Sequence, residues 1–117
     1  MKTILVVEDT ELNIDLITQL LEDDYNLLIA RDGAQGLEMA QTKNPDLILM
    51  DMALPIMDGY EATKKIREKN QALPIIGLSS HAMSGDEIKA LEAGCNAYLT
   101  KPVNDKLLFE KLNEYLK

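Results

Sequence analysis

The sequence has no tryptophan, one phenylalanine, one cysteine and one histidine. A single thiol, Cys95, excludes an internal disulfide. With His81 as the only imidazole, the usual Cys/His zinc sets are excluded as well. Cys95 stands between Gly94 and Asn96 beside an expected strand, where a small buried hydrophobe is the expected role. Basic residues are in deficit, 12 against 20 acidic, for a net charge of −8. Such a surface repels nucleic acid and anionic membranes, so neither is an expected partner. No apolar run approaches the ~20 residues that cross a bilayer. The amino terminus offers only Lys2 and the run 4–7 before Glu8 and Asp9, which is no signal peptide. A reduced, cytoplasmic setting is expected. Neither GxxxxGK nor GxGxxG occurs, so nucleotide binding is unsupported.

What is present is a series of short apolar blocks. The chain has 117 residues, 46% of them hydrophobic, which predicts one domain over 1–117 with a real core. The block 47–50 lies between Asn44-Pro45 and Pro55, is too short for a helix, and is apolar throughout. It reads as a strand buried on both faces, as in a parallel sheet covered by helices. The block 4–7 reads as a second buried strand, and blocks at 25–30, 74–78 and 97–100 read as further short strands. Helical spacing fills the intervals. Thr10 caps a helix carrying Leu12, Leu16, Ile17, Leu20 and Leu21 to about Glu22. Asp32-Gly33 opens a second helix with Ala34, Leu37 and Ala40, and Asp58-Gly59 a third through Ala62 and Ile66 to about Lys69.

Ser84-Gly85-Asp86-Glu87 matches a capping box and predicts a fourth helix, closed by Gly94. Its only large apolar residues are Ile88 and Leu91, so loose anchorage is expected. Leu107, Leu108, Leu112, Tyr115 and Leu116 line a fifth helix. Five strands alternating with five helices predict an α/β, doubly wound fold with a parallel sheet in the order 2-1-3-4-5.

The strand ends carry the chemistry. Glu8-Asp9 follow the first strand, Asp51 the third, Ser79-Ser80 the fourth and Lys101 the fifth. In such sheets ligands bind at the carboxyl edge. Each residue alone has a plainer role: a turn aspartate, an acidic first helical turn, a loop serine, a solvated lysine. Together they converge on one cleft. Three carboxylates there would repel one another unless a hard cation sat among them, and the oxygen donors suit Mg²⁺. A lysine and a hydroxyl opposite can hold phosphoryl oxygens. The predicted chemistry is phosphoryl transfer to Asp51. His81 is expected to be a rim residue rather than a general base.

Val6-Val7-Glu8-Asp9, the run 46–59, Leu78-Ser79-Ser80-His81-Ala82-Met83 and Tyr98-Leu99-Thr100-Lys101-Pro102 together resemble the receiver domain of two-component response regulators. The resemblance covers essentially the whole chain and implies a flavodoxin-like (βα)5 sandwich. It implies that Asp51 accepts a phosphoryl group from a histidine kinase or phosphotransfer protein. It also implies Mg²⁺ held by Glu8, Asp9, Asp51 and the backbone carbonyl of Ala53. Ser79 matches the family's switch hydroxyl, Tyr98 its switch aromatic and Lys101 its lysine. The face of the fourth helix, fifth strand and fifth helix is then expected to meet a downstream protein.

Two departures stand out: Ser79 where Thr is commoner in the family, and Ala53, which offers no side chain to a water near the phosphoryl group. Met1 and a complete last helix favour a stand-alone receiver over a piece of a hybrid kinase or longer regulator. Two rival classes are considered. A phosphatase working through an aspartyl-phosphate would need a second Asp where Ala53 stands. A flavin carrier would need a Ser/Thr phosphate loop where Glu8-Asp9 stand, and more aromatics than 4%. A cis bond at Lys101-Pro102, the tight turn that would aim Lys101 into the cleft, is also expected.

Overall fold

The computed structural model describes residues 1–80 and 85–116. The five apolar blocks are strands: β1 (Thr3–Val7), β2 (Asn26–Ala30), β3 (Leu47–Asp51), β4 (Ile75–Ser79) and β5 (Ala97–Thr100). They form one parallel sheet in the order β2-β1-β3-β4-β5. The intervals are helices: α1 (Glu11–Leu21), α2 (Gly33–Thr42), α3 (Gly59–Lys69), α4 (Asp86–Ala93) and α5 (Asp105–Tyr115).

Successive strand residues point to opposite faces, and the core divides accordingly. Ile4, Val6, Leu47, Leu49, Ile76, Leu78 and Leu99 pack with Ile17 and Leu21 of α1 and Leu108 and Leu112 of α5. Leu5, Val7, Ile48, Met50 and Ile75 pack with Ala40 of α2, Ala62 and Ile66 of α3 and Ala90 of α4. All five residues of β3 and of β4 are buried, which explains why these strands read as unbroken apolar runs.

Helix starts follow local chemistry. The side chains of Asp32, Asp58 and Asn104 accept from the backbone N–H three residues on, at 2.7, 2.8 and 3.0 Å. Thr10 occupies the cap position of α1, but its hydroxyl makes no cap bond. The capping box expected at the start of α4 falls partly on Ser84, outside the described residues. Among the described residues Gly85, at φ 102°, stands at the cap of α4 without a side-chain bond. The Lys101-Pro102 bond is cis, as expected.

The structure corrects the reading of α1. The buried row is Ile14, Ile17 and Leu21, while Leu12 and Leu16 are 67% and 55% exposed. The apolar arc of this helix is wider than the contact the sheet can cover, so spacing alone found Ile17 and Leu21 but took in Leu12 and Leu16 and left out Ile14. In α2 the helix lies close on Gly33, Gly36 and Ala40, with Leu37 only partly buried and Ala34 exposed. In α4 the buried residues are Ala90 and Ala93; Ile88 and Leu91 face outward. In α5 Leu107 is likewise exposed.

Replacing Leu21, which is fully buried, with Ala is expected to lower stability by about 2–5 kcal/mol. Leu12→Ala and Leu16→Ala are expected to stay within about 0.5 kcal/mol of the parent. Urea denaturation of the three variants checks the assignment of the α1 faces.

Candidate functional site at the carboxyl edge of the sheet

Side-chain alternation brings the charged residues together. Glu8 continues the row Ile4-Val6, Asp51 the row Leu47-Leu49, and Lys101 the row Ala97-Leu99. All three rows face α1 and α5, and β1 and β3 are neighbours in the sheet. Glu8 is fully buried and Asp51 is 4% exposed.

Local backbone fixes Asp51 further. The N–H of Ala53 donates to its Oδ1 at 3.1 Å. A Cβ at Gly59 would collide with the carbonyl oxygen of Asp51, so only glycine lets α3 start this close to the strand end. The N–H of Gly59 donates to Met52 O, closing the loop. Between them Ile56 sits at φ 68° in a turn bonded from Met57 N–H to Pro55 O, with its side chain 84% exposed.

Lys101 reaches into the carboxylates rather than standing across from them. Its Nζ lies 2.6 Å from Glu8 Oε1 and 3.2 Å from Asp51 Oδ2. Burial alone would push Glu8 up, but the Lys101 hydrogen bond and charge bring it below the ordinary carboxylate range. Burial pushes Asp51 up to about 6; the Ala53 N–H opposes this, and the nearby Glu8 charge adds to it. Burial would lower Lys101, yet its bond to Glu8 and the charges of Asp51 and Glu8 hold it above its usual value. Of the two buried acids, Asp51 is therefore the one that keeps a proton longer.

Carboxylate oxygens of Glu8, Asp9 and Asp51 lie within 4.8 Å of one another. An all-oxygen set at this spacing fits a hard divalent cation such as Mg²⁺. Asp9 is exposed, on the solvent side of the cluster.

Ser79 is buried at the end of β4, in the row Ile75-Gly77-Ser79 that faces α3 and α4. Tyr98, on the same side of β5, is half-buried against the α3–α4 core. His81 lies outside the described residues. Cys95 is buried, and burial pushes its thiol up to about 11, as suits an inert packing residue. One feature escaped the sequence reading altogether. A groove of about 380 Å³ runs beside the site between α1 and the turn after β5, lined by Leu16, Leu20, Lys101, Pro102 and Val103 among others. Its signal was the surplus leucines of α1.

Fold and site together define a flavodoxin-like α/β domain with an acidic, cation-ready cleft at its carboxyl edge. The chain belongs to the response regulator receiver domain family, which matches residues 4–113. It is 37% identical over 98% of its length to the polar-differentiation response regulator DivK of Brucella anthropi, covering 96% of that protein. It superposes on the receiver domain of the sensor histidine kinase PA1611 of Pseudomonas aeruginosa at a TM-score of 0.91, with 38% identity over 97% of this chain and 96% of that one. That structure has magnesium coordinated in its active-site cleft. It also superposes, at 0.91 and 31% identity over 97% of this chain and 88% of that one, on the receiver domain of Ssk1 of Saccharomyces cerevisiae. That receiver was crystallised with the histidine phosphotransfer protein Ypd1.

The raised Asp51 fixes a pH dependence. An acid whose folded pKa lies above its unfolded one stabilises the fold below the unfolded value, and that stabilisation is lost as pH rises through the folded value. For Asp51 the window runs from about 4 to about 6. Asp51→Asn is therefore expected to be more stable than the parent at pH 8 in chelator-treated buffer, by about 1–3 kcal/mol. The advantage should shrink as pH falls below 6, and urea denaturation at pH 5 and pH 8 reads both.

Proposed function

We propose that this domain takes a phosphoryl group from a phosphohistidine onto Asp51 and passes the event to a protein partner. The observation that carries the reading is the Lys101 ammonium bonded to both Glu8 and Asp51 inside a cleft of three carboxylates. An Asp51 carboxylate oxygen attacks phosphorus, the phosphorus–nitrogen bond to imidazole breaks with its electrons going to nitrogen, and an acyl phosphate forms. Glu8, Asp9, Asp51 and the Ala53 carbonyl would hold Mg²⁺, which would supply neutralisation of charge on the phosphoryl oxygens.

Lys101 holds a phosphoryl oxygen, and Ser79 donates its hydroxyl to another. Ala53 N–H keeps Asp51 oriented. The Ser79 shift then couples to Tyr98, and the α4–β5–α5 face answers to a downstream protein. Outward-facing Ile88 and Leu91 of α4 and Leu107 of α5 support that face as a docking surface. The proposed role is that of a switch rather than an enzyme, with the phosphoryl group staying on the protein.

The α1 groove is the proposed docking site for the donor. Exposed Leu16 lines it, and Lys101 lines both groove and cleft, so a helix carrying phosphohistidine can pack there with its imidazole at Asp51. The crystallised pairing of Ssk1 with Ypd1 supports a phosphotransfer protein as the kind of donor.

Incubation with acetyl phosphate and Mg²⁺ is expected to add the mass of one phosphoryl group; Asp51→Asn should add none, and a gain in that variant refutes the assignment. Asp9→Ala should abolish labelling at ordinary Mg²⁺. Leu16→Glu should leave labelling by acetyl phosphate unchanged while slowing transfer from a phosphorylated histidine phosphotransfer protein at least tenfold. Equal slowing with both donors would count against the groove.

A further inference from the structure

Gly77 sits in the middle of β4, where a strand interior gains least from a residue with no side chain to pack. It stands in the row between Ile75 and Ser79, in register with Met50 of β3 on one side and Tyr98 of β5 on the other. A Cβ on Gly77 would lie 3.3 Å from the Cys95 sulfur, 3.3 Å from the Met52 methyl and 3.5 Å from Cδ1 of Tyr98. Three side chains thus close over bare backbone, and one of them is the tyrosine. Its half-buried position against the α3–α4 core matches this recess.

We propose that Gly77 is a positioning residue: its missing side chain makes the recess that holds the Tyr98 ring inward. This inference takes Tyr98 as the switch aromatic of the proposed function. The resting position of the ring is then set from β4, two residues before Ser79, and not by the state of Asp51 alone. Any ligand at Asp51 that favours the inward ring binds more tightly when the recess is open, because a bound state need not then recruit a minor population.

Substitutions at 77 grade the recess. In Gly77→Ala the added methyl meets Cδ1 at an ordinary contact distance, while the Cys95 sulfur and the Met52 methyl, each 3.3 Å away, give by a few tenths of an ångström, so the ring stays. In Gly77→Val the γ-carbons project into the space the ring occupies, so the ring leaves for solvent. NMR reads this directly, from nuclear Overhauser effects between the Tyr98 ring and residue 77 and from paramagnetic relaxation of the ring by a soluble probe. The contact is expected to persist in the parent and in Gly77→Ala. In Gly77→Val it should be lost, with increased solvent relaxation; an unmoved ring in that variant overturns the proposal.

Gly77→Val could also fail to fold, and Gly77→Val/Tyr98→Ala covers that outcome. Restored folding in the double variant supports the recess, because removing the ring relieves the overlap. Folding that stays lost means other neighbours fill the space, and the proposal falls. Binding of beryllofluoride with Mg²⁺, a mimic of the phosphoryl group, separates the two readings. Affinity is expected to fall about three- to tenfold in Gly77→Val and to be unchanged in Gly77→Ala. A displaced ring with unchanged beryllofluoride affinity upholds the recess and refutes Tyr98 as the switch aromatic.

Discussion

One ammonium among buried carboxylates governs this molecule. Glu8 and Asp51 are almost wholly withdrawn from water, and charges so placed cost several kcal/mol each unless compensated. Lys101 supplies the compensation from a distant strand. β5 lies two strand spacings from β3, about 10 Å, a gap that a long side chain at a tight turn can bridge. The strand order, the ends of β1, β3 and β5 on one edge, and the turn into α5 are all needed for that single contact. The same arrangement makes the cleft responsive. A divalent cation or a phosphoryl group entering the cleft would change the charge balance that Lys101 satisfies through Glu8 and Asp51.

The sheet separates two tasks. Glu8, Asp51 and Lys101 extend rows that face α1 and α5, whereas Ser79, Gly77 and Tyr98 extend rows that face α3 and α4. In the proposed function chemistry gathers on the first side and its readout on the second, with Ser79 at the strand end where the two meet. On the second side α4 is lightly anchored. α4 is held by two alanines, Ala90 and Ala93, and its larger apolar residues face out. An element with so little buried apolar surface is the least costly to shift.

The strands and their ends were legible because each is a short apolar run bounded by breakers, and a fully buried parallel strand leaves little else for such a run to be. Glu8, Asp51 and Lys101 were legible as a set because the strand order follows from the alternation of elements. The orientation of α1 was not. Leu12, Ile14, Leu16, Ile17, Leu20 and Leu21 offer more apolar rows than one sheet contact can cover, and periodicity does not choose between them. The anchorage of α4 by alanines was hidden for a related reason: a small residue in close contact leaves no mark in hydropathy. Gly77 went unremarked because an absent side chain matters only through the neighbours that fill its place, and those come from β3, β5 and the loops beside them.

The two-sided sheet makes residue number itself informative. Along β3 and β5 odd positions belong to the chemical side, and along β1 and β4 even ones do. A single-residue insertion in β4 would therefore do more than loosen packing. It would exchange the two sides beyond that point, turning the Ser79 position toward α1 and bringing a leucine to the place of the hydroxyl. Much of the core would keep its apolar rows after such an edit, while the hydroxyl would leave the face that the proposed switch requires, so the strand works as a reading frame whose phase sets which side each residue serves.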